Sequence, residues 1–156
     1  MCIFSRNRDR PSPSDIFPPS SMDALVYFLN NSATLENLNI PFTKKPIAIA
    51  VAIADTKSMD ELFDAEANAI VIYGADNENQ QIMVDWMAEQ WLTDPMKGGN
   101  IAIYSSAQAF AIHRVIKVGF DNEGRYFKFK GDNNSSEDPW KIRDSEIKYL
   151  TVLLAY

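Results

Sequence analysis

The chain is poor in the groups that enzyme sites most often draw on. It has one cysteine, Cys2, and one histidine, His113, in 156 residues. A single thiol excludes an internal disulfide and any multi-cysteine metal site, and a single imidazole excludes a histidine-rich zinc site. Basic residues are also in the minority. Fifteen Lys and Arg against twenty-one Asp and Glu leave a net charge of −6 and a pI near 4.7. With no basic excess to displace phosphate counterions, no nucleic-acid partner is expected. Long hydrophobic runs are missing too. The longest, residues 47–54, is far below the ~20 residues of a membrane-spanning helix. The opening MCIFSRNRDRPSPS has no apolar stretch of the about 7–15 residues that a signal peptide needs. The expectation is a soluble, cytoplasmic protein with no cofactor, no metal and no transmembrane segment.

What is present suits a folded core: 46% of residues are hydrophobic and 23% charged, in the range of one globular domain. Residues 1–20 hold four of the eight prolines and read as a flexible arm, since such a segment buries too little to offset its ordering entropy. Residues 21–45 read as a short N-terminal helix and a linker. Ser21 is placed to cap the helix, Leu25, Phe28 and Leu29 share a face, and Pro41 and Pro46 bracket the linker. The main domain is expected over 46–156.

From Pro46 onward strand signals dominate. Residues 47–54 alternate large and small apolar side chains, as a strand buried on both faces does. Further strands are expected at 68–73, ended by Gly74, and at 100–104, 111–118 and 125–130, with a closing strand at 146–155. Gly119 to Gly124 is turn chemistry and predicts a hairpin. Only 79–91, where Ile82, Met83, Trp86, Met87 and Trp91 recur at helical spacing, reads as a helix. Those aromatics fit a core face or, less readily, a patch for peripheral membrane contact. An alternative α/β reading makes 58–66, 79–91 and 106–117 crossover helices between parallel strands. The alternation in Arg125-Tyr-Phe-Lys-Phe-Lys130 favours the mainly β reading.

Three segments carry candidate chemistry. His113 is the only residue whose unperturbed pKa lies near neutrality, so a hydrolase of the serine–histidine type would have to use it. A lone histidine on a strand is more often a structural residue. Ser58 follows the 47–54 strand, where a hydroxyl is held on a rigid support. It is also placed to cap residues 59–63, with Glu61 completing a capping box. Lys130-Gly-Asp-Asn-Asn134 reads as a self-bonded loop with carboxylates at Asp132 and Asp138, able to hold an acid against His113 or simply to form a solvated turn. Either aspartate is a candidate partner.

Taken in order, Ser58-Met59-Asp60, Gly99-Asn-Ile-Ala-Ile-Tyr104, His113-Arg114-Val115 and Lys130-Gly-Asp-Asn-Asn134 with Asp138 resemble the type I signal peptidases. The likeness is to their archaeal and endoplasmic-reticulum branch, in which a histidine replaces the lysine base of the bacterial and LexA-type relatives. It covers residues 46–156. It implies a signal peptidase/LexA-like coiled β-sheet with one inserted helix and a short N-terminal helix. It also implies a serine endopeptidase working through an acyl-enzyme on an extended peptide or protein substrate, cleaved after small side chains. Ser58 would be the nucleophile, His113 the base and Asp138 its partner, with Asp132 supporting the loop. Thr56 and Met59 would lie on the oxyanion and substrate-binding side. Glu61 stands where the family has proline, Asn100 where it has aspartate, and residues 74–98 form a longer insertion. These departures keep open a catalytically silent interaction module, or a self-cleaving one with the 30–45 linker as its substrate.

Overall fold

The computed structural model describes residues 19–31, 33–52, 58–59, 68–97, 99–106 and 110–155. Residues 1–18 of the proposed 1–20 arm, Thr56 and the 60–67 segment lie outside the described residues, and residues 19–20 belong to the first helix. Six strands form one sheet: β1 (Ile47–Ala52), β2 (Asn68–Tyr73), β3 (Ile101–Ser105), β4 (Phe110–Asp121), β5 (Gly124–Lys130) and β6 (Ile147–Ala155). Their spatial order is β1-β2-β6-β3-β4-β5, and every pairing is antiparallel. The protein is therefore mainly β with an inserted helix. The α/β reading fails at 106–117, most of which lies in β4 and not in a helix. The C-terminal strand does not close an edge; it sits between β2 and β3.

β1 departs from its expected double burial. Among the described residues it is an edge strand paired only with β2, and Ala50 and Ala52 are exposed while Ala48 is buried. Helix α1 (Pro19–Asn31) lies against it. The Asn30 amide donates to the Ala48 carbonyl at 2.8 Å and accepts from the Ala48 N–H at 2.8 Å, as a paired strand residue would. The helix begins at Pro19, so Ser21 lies inside its first turn and is not the cap. Proline is well tolerated there because the first helical N–H has no intrahelical partner anyway. Leu29 is buried and Leu25 packs beside it, but Phe28 is exposed because it falls on the flank of their stripe. Leu35 and Ile40 enter the same core as the sheet, so the hydrophobic core runs across residue 46.

Helix α2 (Asn77–Thr93) fills one face of the sheet with Met83, Val84, Met87 and Ala88. Trp86 and Trp91 pack against that core from its margin. Among the described residues no helix is long and apolar enough to cross a membrane. The N-terminus of α2 is held by two side chains. Asp76 accepts from the Asn79 N–H at 2.9 Å, and the fully buried Asn79 accepts from the backbone of Thr43 (2.8 Å) and Lys44 (3.0 Å). Asn79→Ala removes the acceptor of two backbone donors, so it is expected to cost about 2 kcal/mol in a denaturant titration.

Strands β4 and β5 join through Asn122 and Glu123, a tighter turn than the sequence predicts, with Gly124 at φ 106°. The side chain of Asp121 accepts from the Glu123 N–H at 3.0 Å and stiffens the turn. A bulge interrupts β4 between Val115 and Lys117. The extra residue lets Val115 and Val118, three positions apart, both face the core. His113 lies before this bulge, on the regular part of the ladder opposite Ala102.

Candidate active site

His113 and Arg114 are neighbours on β4, and strand alternation sends their side chains to opposite faces. Each recruits a different aspartate from the chain that follows β5. Arg114 takes Asp132 in a forked pair, Nε to Oδ1 at 2.9 Å and Nη2 to Oδ2 at 2.8 Å, while its Nη1 donates to the Gly99 carbonyl at 3.1 Å. The hydrogen bond it donates to Asp132 raises the guanidinium pKa against the opposing effect of burial. Asp132 is thus a loop anchor and does not touch the imidazole; as a direct member of a triad it is displaced by Asp138.

Asp138 is buried. Its backbone is pinned to β5 at both ends: its N–H donates to the Phe129 carbonyl at 2.8 Å, and its carbonyl accepts from Lys128 Nζ at 2.7 Å. Its Oδ2 lies 2.7 Å from His113 Nδ1, and the other ring nitrogen, Nε2, lies 3.0 Å from Ser58 Oγ. A carboxylate only accepts, so the Nδ1 contact calls for the proton on Nδ1 and leaves the Nε2 lone pair facing the hydroxyl. The three groups from the three sequence segments form one hydrogen-bonded line.

Ser58 owes its place to the 131–134 loop. The Asn133 N–H donates to the Ser58 carbonyl at 2.8 Å, and the Asp132 N–H points to the Met59 sulfur at 3.2 Å. Met59, expected on the substrate side, is 3% exposed. It turns inward and anchors the serine to the loop, because its apolar stem finds better cover there than beside an open site. Gly131 makes this approach possible. A Cβ at that position would stand 2.6 Å from the Ser58 carbonyl oxygen and 2.8 Å from Asn134 Nδ2. Gly131→Ala therefore must part the loop from the serine peptide and disturb the placement of Ser58. The expected result is a folded protein in which the Ser58 hydroxyl no longer bonds to the His113 ring, read from the ring nitrogen-15 shifts beside the melting temperature.

Two residues of this site were given no role by the sequence reading. Lys128 belongs to an alternating strand and gives no sign that its ammonium will hold the backbone of Asp138. Tyr104 donates its hydroxyl to Asp138 Oδ2 at 2.6 Å. Tyr104 ends the Gly99–Tyr104 box of the family likeness, but no role was attached to it; the physical signal was a tyrosine in an apolar strand, whose hydroxyl needs a partner once buried. Burial first, and then the neighbouring Asp138 carboxylate, push the pKa of this phenol far up, so it stays a donor across the working pH range.

No protein-family model matches the chain, and no curated protein or solved structure shows significant similarity to it.

Proposed function

We propose that the protein is a serine endopeptidase of the signal peptidase-like type, working through Ser58, His113 and Asp138. The observation that carries this reading is one imidazole bonded through Nδ1 to a buried carboxylate and through Nε2 to a serine hydroxyl. Both distances lie within proton-transfer reach. In the reaction His113 takes the proton from Ser58 Oγ as the oxygen attacks the scissile carbonyl. It then delivers that proton to the departing amine, leaving an ester on Ser58. Water, activated by the same imidazole, attacks the ester and releases the acid product. Asp138 holds the ring in the required tautomer and stabilises the imidazolium formed in each half. The oxyanion would be met by the backbone N–H of Ser58 and, as the family likeness implies, by the hydroxyl of Thr56.

Beyond Ala48 the outer edge of β1 is open among the described residues, which fits an extended peptide as substrate. Alternation along the strand directs the backbone N–H and C=O of Ala50 and Ala52 to the same side as those of Ala48. Among the described residues no side chain or strand occupies them. A peptide adding to that edge as a strand would be held extended, the conformation in which a peptidase takes its substrate. The packing of Leu35 and Ile40 in the core speaks against the 30–45 linker as a substrate for self-cleavage, because a scissile bond must be drawn out as an extended strand.

A fluorophosphonate probe tests the reading. Covalent labelling at Ser58, lost in Ser58→Ala and in His113→Ala, supports a peptidase. Absence of labelling in the unmodified protein at any pH defeats it and leaves a non-catalytic interaction module.

A further inference from the structure

Among the buried polar groups, one hydroxyl does something the proposed chemistry does not by itself require. Tyr104 is fully buried on β3, its ring centroid 4.5 Å from that of Phe129 and 6.4 Å from that of His113. A phenylalanine would fill the same apolar space without the cost of burying a hydroxyl. The hydroxyl that is there reaches the same oxygen of Asp138, Oδ2, that His113 Nδ1 reaches, at 2.6 and 2.7 Å. Two donors converge on one carboxylate oxygen.

This convergence matters because of how Asp138 is held elsewhere. Its backbone is clamped to β5 by Phe129 and Lys128, and Lys128 is further held by Glu137 at 3.1 Å. What remains free is rotation of the carboxylate about its own side-chain bonds. A single bond from His113 would not prevent it, since a ring and a carboxylate can turn together. A second donor from a different strand fixes the oxygen in space. The high pKa of the Tyr104 phenol keeps that donor present.

We propose that Tyr104 is a positioning residue of the triad: its hydroxyl locks Asp138 Oδ2 where it directs the imidazole proton to Nδ1. The catalytic part of this inference rests on the peptidase reading of Ser58 and His113; the tautomer part does not. In the neutral ring one nitrogen carries the proton, and only with the proton on Nδ1 can Nε2 accept from Ser58. Without the phenol, Asp138 swings and part of the population moves its proton to Nε2.

His113 is the only histidine in the chain, so its two ring nitrogen-15 resonances are assigned without further labelling and report the tautomer directly. The expected result in the unmodified protein is the Nδ1-protonated form of the neutral ring. In Tyr104→Phe, which keeps the ring contact with Phe129, the spectrum is expected to show a mixture of tautomers. Peptide cleavage should lose roughly tenfold in kcat, with KM held within about twofold. In an Asp138→Ala background the same change should cost nothing further, because Tyr104 acts only through that carboxylate. An Nε2-protonated ring in the unmodified protein overturns the proposal without any variant. An unchanged tautomer in Tyr104→Phe also overturns it, whatever happens to the melting temperature, and so do additive losses in the double variant. If the unmodified protein cleaves nothing while Tyr104→Phe still shifts the tautomer, the positioning role stands and the peptidase reading falls.

Discussion

Ser58→Ala is expected to lower kcat by about 10⁶-fold, and His113→Ala by a similar factor, with the double variant no worse than either alone. The three values belong together. Once the hydroxyl is gone there is no nucleophile for the imidazole to activate, and once the imidazole is gone the serine keeps its proton. The remaining rate comes from substrate binding and oxyanion contacts alone. Stability should respond differently in the two variants. Ser58→Ala gives up the hydrogen bond to Nε2 at a partly exposed position, a loss of about 1 kcal/mol or less. His113→Ala empties a ring whose side chain is 12% exposed and takes a donor away from Asp138, so it should cost more. Wild-type cleavage by either variant, in protein that denatures cooperatively, would show that the line of hydrogen bonds is structural.

The second large effect is expected at Asp138. Asp138→Ala should reduce kcat by about 10⁴-fold, since the ring loses both its orienting partner and the charge that stabilises the imidazolium. It also strands the buried Tyr104 hydroxyl, at about 1–3 kcal/mol of stability. Asp138→Asn separates the two contributions in an unusual way. Both His113 and Tyr104 bond to the same oxygen, so an asparagine that presents its carbonyl oxygen there satisfies both donors. Only the charge is then missing. A clearly smaller loss of kcat for Asp138→Asn than for Asp138→Ala is the expected order, read from single-turnover cleavage. Equal losses would mean that charge, not orientation, is what Asp138 supplies. Asp132→Ala, by contrast, would act through the placement of the loop under Ser58, because Asp132 spends its carboxylate on Arg114.

Much of the fold could be read from residue patterns because those patterns are local. The run 68–73 became β2 without change. The helical spacing at 79–91 became α2, lengthened at both ends by the Asp76 cap and the run to Thr93. Edge and centre could not be read in the same way. The alanines of β1 look like positions in a doubly covered strand, yet β1 lies at the rim. The closing segment occupies the middle because β6 pairs with both β2 and β3. Strand order depends on contacts between segments far apart in the chain, and periodicity carries no record of them.

For the candidate site, the three chemical segments were visible separately: a serine after an apolar strand, the only imidazole, and a loop with two carboxylates. What they could not reveal was the choice between Asp132 and Asp138. That choice follows from the pleat of β4, which turns His113 and Arg114 to opposite sides. The first aspartate after β5 meets the guanidinium, and the next, carried round by the loop, meets the imidazole. Met59 and Tyr104 were ambiguous for the same reason, since a side chain's role depends on which way the assembled sheet points it. Residue types set what chemistry was available to this chain. Which groups came within a hydrogen bond of one another was decided by the register of β4 against its neighbours and by a glycine that lets a loop lie against the serine, because a contact of about 3 Å is a property of three-dimensional packing rather than of sequence spacing.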